Sequence, residues 1–109
     1  MVTFEEFLNL DIRVGEIIQC EVFSKAKKPA YKLLIDFGNE IGIKKSSAQI
    51  VERYDPKELI GMQILGVVNF PPRQIADFIS EVLVLGIYSS NGVVLIVPHQ
   101  KVEKGDKLG

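Results

Sequence analysis

Residues 11–23, Asp-Ile-Arg-Val-Gly-Glu-Ile-Ile-Gln-Cys-Glu-Val-Phe, constrain the fold more than any other stretch of the chain. Ile12, Val14, Ile18, Cys20 and Val22 fall at even positions, with Arg13, Gln19 and Glu21 on the other parity. Period-two alternation over so long a run predicts a strand with one buried face. Gly15 reads as a bend or bulge within it, which a sheet needs in order to close into a barrel.

The rest of the chain repeats the strand signal. Tyr31–Phe37 places Leu33, Ile35 and Phe37 on one face, and Ile41–Lys45 returns with Ile41 and Ile43 inward. Residues 62–69, 78–88 and 93–97 are the three most apolar runs. Pro71-Pro72 breaks the chain between the first two, and Ser90-Asn91-Gly92 supplies a tight turn between the last two. Helix is scarce. Thr3 and Glu6 form a capping box for a short N-terminal helix over 3–10 whose apolar stripe is Phe4, Phe7 and Leu8. Asp55-Pro56 starts a single turn that Gly61 stops. About six strands with no alternating βα pattern predict an all-β domain, a small closed or nearly closed barrel of the five-stranded Greek-key (OB) type. It carries a short N-terminal helix and a C-terminal extension.

Length and composition agree. A chain of 109 residues holds one core, and 47% hydrophobic with 25% charged residues is ordinary for a folded soluble domain. One cysteine, Cys20, excludes an internal disulfide and suits a reducing compartment. The N-terminus lacks the basic and apolar regions of a signal peptide, and no run reaches the ~20 apolar residues of a membrane span. The expectation is a cytoplasmic protein with no membrane insertion.

Runs 82–87 and 93–97 are apolar at successive positions, hence on both faces. A barrel strand buries one face unless the other is also covered. The N-terminal segment could cover it, but a subunit interface is the preferred reading, because apolar patches of that size are uncommon on monomers. Phe4, Phe7, Leu8, Val82, Val84 and Leu85 are the expected interface residues.

Catalytic material is thin. His99 stands alone beside Pro98 in a polar tail, and Cys20 shares the inward face of its strand. One His and one Cys cannot make a nitrogen–sulfur zinc site. Ser24-Lys25-Ala26-Lys27 matches Ser-x-x-Lys, but its companion motifs are missing. The expectation is no enzyme, no cofactor and no metal. Basic residues do gather: Lys25, Lys27, Lys28 and Lys32 on a loop and the strand after it, Lys44 and Lys45 one hairpin away, then Arg53 and Arg73. A net charge of −1 and few stacking aromatics (Tyr31, Phe70, Phe78) argue against strong RNA binding.

Several motifs then carry a resemblance. Asp11-Ile12-Arg13-Val14-Gly15, Lys32-Leu33 before Asp36-Phe37-Gly38, and Tyr54, Pro56, Glu58, Leu59 and Gly61 stand in order. Asn69, Pro72-Arg73 and Ser80-Glu81 follow. This set resembles the tRNA-binding-domain family of OB-folds over nearly the whole chain. Residues 46–50, 69–75 and 80–86 are similar to a branch of bacterial protein-secretion chaperones within it. That resemblance implies a homodimer built partly from the additions 1–10 and 99–109. It further implies binding of unfolded or precursor polypeptides for export, and association with the secretion ATPase SecA. The implied binding face is Lys32, Lys44, Lys45, Ser46, Ser47, Asn69, Arg73, Phe78, Ser80 and Glu81. The runner-up is tRNA binding through the same face. The chain departs from tRNA-binding members at Ser47-Ala48, at 74–77 and at Val82-Leu83, where apolar or acidic residues replace small and basic ones, which tilts the face toward peptide.

Overall fold

The computed structural model describes residues 1–109. Twelve short elements follow one another: α1 (Phe4–Leu8), β1 (Ile12–Val22), β2 (Tyr31–Asp36), α2 (Gly38–Ile41), β3 (Ile43–Ala48), α3 (Pro56–Leu59), β4 (Gln63–Val67), β5 (Arg73–Ile75), β6 (Phe78–Ser80), β7 (Leu83–Val84), β8 (Gly86–Ser89) and β9 (Gly92–Leu95). An antiparallel five-stranded sheet in the order β3-β2-β1-β4-β7 curls into a nearly closed barrel, the all-β OB-type fold expected. The N-terminal half of β1 pairs with β4 and its C-terminal half with β2. One strand thereby serves both sides of the barrel. Two further hairpins, β5–β6 and β8–β9, stand outside this sheet. The second turns at Ser90-Asn91, where the sequence placed it.

The barrel core is Ile17, Leu33, Ile35, Phe37, Ile50, Leu59, Ile64 and their neighbours. Three strand expectations need correction. Gly15 sits in unbroken register opposite Ile64, and the bulge lies at Ile17–Gln19 instead. That extra residue shifts the phase of β1, so Ile17 is fully buried while Ile18 is exposed, and Val22 at the strand's end is exposed as well. Ile12 and Val14 therefore face away from the barrel core. They join Leu65 and Val67 in a second cluster on the outer side, covered by Phe7, Leu10, Leu85 and Ile96. Ile43 is exposed, because Gly38–Ile41 spends residues in a helical turn and β3 then runs on to Ala48, burying Ser46 and Ala48. Residues 70–77, expected only as a break, form half of the β5–β6 hairpin, with Ala76 in the left-handed region at its tip.

Both termini are secured to the chain itself. Thr3 and Glu6 cap α1 reciprocally, as expected. The segment 105–108 lies along the free edge of β1: the Val14 N–H donates to the Asp106 carbonyl, Gly105 donates to Val14, and Leu108 donates to Ile12. Gly38 and Gly105 both have positive φ, and a Cβ on Gly105 would stand 2.7 Å from the Phe37 carbonyl oxygen. Only glycine lets these backbones come so close. No helix is long and apolar enough to cross a membrane.

Candidate functional site

The seam of the barrel accounts for most of the polar residues expected on the binding face. Between β3 and residues 80–82, side chains replace part of a strand ladder. Lys45 donates its N–H to Glu81 Oε1 at 2.9 Å, and Glu81 returns its own N–H to the Lys45 carbonyl at 2.8 Å. Ser47 N–H donates to Ser80 Oγ at 3.0 Å, and Ser46 Oγ donates to the Val82 carbonyl at 3.1 Å. Ser46 is 0% exposed. Buried hydroxyls and amides need such partners, and these residues supply them to each other. Ser46 therefore does not belong to an open binding face, and Ser80 and Glu81 act first as closure.

Asn69 is likewise engaged elsewhere. Its Oδ1 accepts from the Asp11 N–H at 2.9 Å and its Nδ2 donates to the Asn9 carbonyl at 2.8 Å, pinning α1 to the end of β4. Lys44 and Lys45 are adjacent on a strand, so their side chains leave opposite faces. Lys45 is the register partner of Leu34, whereas Lys44 is opposite the core residue Ile35 and leaves the shared face. Arg73 is exposed, opposite Ser80 across the β5–β6 hairpin.

Four expected residues do share the outer face. Strand register sets Glu21, Lys32 and Ser47 in one row and Gln19, Leu34 and Lys45 in the next. Phe78, from β6, folds over these rows and meets Phe23 edge-on, with ring centroids 5.4 Å apart. Lys32 Nζ lies 4.9 Å from the Phe23 centroid and 5.3 Å from that of Phe78, and Lys45 Nζ lies 5.4 Å from Phe78. Gln19, Glu21, Lys32, Leu33, Leu34 and Phe78 line a recess beside this cluster. At the hairpin tip Lys25 Nζ meets Asp77 Oδ2 at 2.7 Å. Each raises the other's charged state: the hydrogen bond lifts the lysine pKa and lowers that of the carboxyl. Both groups are exposed, so the pair is a weak clasp.

Phe23 was missed by sequence reasoning. Its signal was its position, an aromatic closing the alternating run just before a lysine-rich loop. Tyr31, counted among possible stacking aromatics, is buried, its hydroxyl donating to the Tyr54 carbonyl. Cys20 is half-buried against the core, and desolvation, followed by the nearby Glu21 charge, lifts its thiol pKa to about 11. A protonated, inert thiol follows.

The expected interface residues divide too. Val82 is buried in this chain's own barrel and cannot be offered to a partner. Val84 packs on the same core, and Phe7 and Leu85 pack on the outer cluster. Phe4 is 71% exposed and Tyr88 93%, and Leu8, Leu83, Ile87 and Val97 are also exposed. The double-sided runs at 82–87 and 93–97 are thus partly covered within one chain and partly open.

A family model described as a putative tRNA binding domain matches residues 12–107. Among curated proteins, the methionine–tRNA ligase of Porphyromonas gingivalis is 35% identical over 98% of this chain. The chain spans only about 15% of that ligase's length. Among solved structures, a CsaA chaperone protein from Picrophilus torridus is 53% identical with a TM-score of 0.95, covering 100% of both chains. The chaperone CsaA of Bacillus anthracis is 51% identical with a TM-score of 0.93, covering 100% of this chain and 99% of its own.

Proposed function

The chain belongs to the tRNA-binding-domain family, and from that premise we propose that it is a non-catalytic chaperone that binds unfolded or precursor polypeptides on the outer face of β1–β3. The observation that carries this reading is the local charge balance around an apolar floor. Three lysines, Lys25, Lys32 and Lys45, stand among three carboxylates, Glu21, Asp77 and Glu81, with Lys25 ion-paired to Asp77 and the other two ammonium groups over aromatic rings. Such a face attracts phosphate weakly and suits an uncharged, extended chain with apolar side chains. The full-length likeness to CsaA chaperones supports the same reading.

In this reading two copies associate through Phe4, Leu8, Leu83, Ile87, Tyr88 and Val97, the exposed apolar side chains of α1, β7, β8 and the segment after β9. Pairing sets two peptide faces on one particle and adds avidity for a long client. The protein works in the cytoplasm, delivers clients for export, and meets the secretion ATPase SecA there.

The second reading, tRNA binding through Lys32, Lys45 and Arg73, draws on the matched family model. Fluorescence anisotropy over a range of salt separates the two. The peptide reading expects binding of a labelled unfolded segment that changes little with ionic strength. Tight tRNA binding that falls by about one log unit per log unit of salt for each phosphate contacted, with no peptide binding, would replace it. Sedimentation should report twice 12.2 kDa.

A further inference from the structure

The recess beside Phe78 has a size and an electronic character that the general reading above does not use. Its volume is about 160 Å³, close to the ~150 Å³ of a cavity that takes up benzene. Leu34 forms its apolar floor beside the backbone of Leu33, whose side chain turns into the barrel core, and the rim is Gln19, Glu21 and Lys32. One wall is Phe78, whose ring already has two ammonium groups within 5.4 Å of its centroid. Neither Lys32 nor Lys45 donates its ammonium to a carboxylate; their partners are the rings.

We propose that this recess is a slot for an aromatic side chain of the bound polypeptide, selected by its π face as well as by its volume. The inference rests on the peptide-binding reading and adds a side-chain class to it. A ring entering here adds a third member to the Phe23–Phe78 edge-to-face pair, a geometry that aromatic quadrupoles favour. Its negative face turns toward Lys32, whose ammonium stands beside the two existing rings, 4.9 and 5.3 Å from their centroids. An aliphatic side chain of equal size gains the same burial but none of this electrostatic attraction. Gln19 and Glu21 at the rim leave room for the polar edge of a tyrosine, so the slot takes phenylalanine and tyrosine alike.

The test isolates the π system. Two labelled flexible peptides are compared by anisotropy, one carrying a single phenylalanine and the other cyclohexylalanine at the same place. The phenylalanine peptide should bind about fivefold more tightly. Lys32→Met and Lys45→Met, both surface changes outside the buried core, should each pull that ratio toward one. Titration with N-acetylphenylalanine amide should shift the NMR signals of the Phe78 ring and the Leu34 methyls. Equal affinity for the two peptides, or a ratio untouched by both lysine changes, would overturn the slot while leaving peptide binding standing. Binding of neither peptide, with no NMR shift, would remove the slot and the peptide reading together. If single-stranded RNA produced the Phe78 shifts, with steep salt dependence and no response to the amino-acid amide, the ring in the slot would be a nucleobase and the proposal would fail.

Discussion

Replacing Gly15 by alanine probes how the barrel makes room for its largest fully buried side chain, Phe37. A Cβ at position 15 would stand 2.5 Å from Ile35 Cγ2 and 2.8 Å from two atoms of the Phe37 ring. Ordinary carbon contacts lie at about 3.5–4.0 Å, so neighbours must retreat by roughly 1 Å. They have little room to do so. Ile35 and Phe37 are both 0% exposed, and a Cβ on Gly66 of the adjoining strand β4 would stand 3.2 Å from Phe37 Cζ and 3.5 Å from Cε1, the ring atom that position 15 also meets. The edge of the Phe37 ring thus packs onto two glycines of neighbouring strands. Overpacking of this kind costs about 1–3 kcal/mol, and the reduced freedom of the unfolded chain returns about 0.4–1 kcal/mol. Gly15→Ala should therefore destabilise by about 1–2 kcal/mol, lowering Tm by roughly 5–10 °C. Urea unfolding followed by circular dichroism measures this directly. A double-mutant cycle with Phe37→Leu supplies the sharper check, since the smaller side chain relieves the clash. The pair should couple by at least 0.5 kcal/mol in the compensating direction. A Gly15→Ala protein as stable as the parent, or strict additivity with Phe37→Leu, would refute the steric account.

Two other perturbations follow from the structure. Asn69→Ala removes both amide contacts to the N-terminal segment and should cost about 1 kcal/mol, with the Asp11 amide losing hydrogen-exchange protection while the barrel amides keep theirs. Exchange unchanged at Asp11 would count against the clamp. Cys20, with its pKa raised from 9.0 to about 11 by burial first and then by Glu21, should alkylate slowly with iodoacetamide at pH 8 and show a rate midpoint near pH 11. Because the folded thiol holds its proton longer than the unfolded one, this group's contribution to stability is complete below about pH 9 and is lost between about 9 and 11. A rate midpoint near that of an ordinary thiol would show that Cys20 is not desolvated.

The fold was readable where local chemistry fixes it. The Thr3–Glu6 box, the Ser90-Asn91-Gly92 turn and the alternation of β2 each determine one conformation with neighbours close in sequence. The bulge near Ile18 was not readable, because residues 17 and 18 are both isoleucine and either can face the core. That single ambiguity reversed the facing of half of β1. In the candidate site, Lys32, Lys45 and Phe78 were named from the sequence and stand together on the outer face, while Phe23 was not named, since what joins it to Phe78 is a contact across 55 residues of chain. Ser46, Asn69, Ser80 and Glu81 were read as ligand groups because they are polar residues at matched family positions. The structure engages each of them in hydrogen bonds within the chain itself.

The seam between β3 and residues 80–82 makes barrel closure unusually accessible to mutation. In a ladder of main-chain bonds every residue except proline brings the same donor and acceptor, so substitution leaves the joint intact. Here the joint depends on which side chains occupy positions 46, 80 and 81. A single base change at Ser80 or Glu81 can loosen one stave of the barrel without touching the core or the strand order. Each such change alters how tightly β3 is held to residues 80–82, beside the outer face of β1–β3. In the peptide-binding reading proposed above, what fits on that face can then change from the seam, before any residue that touches the partner has changed.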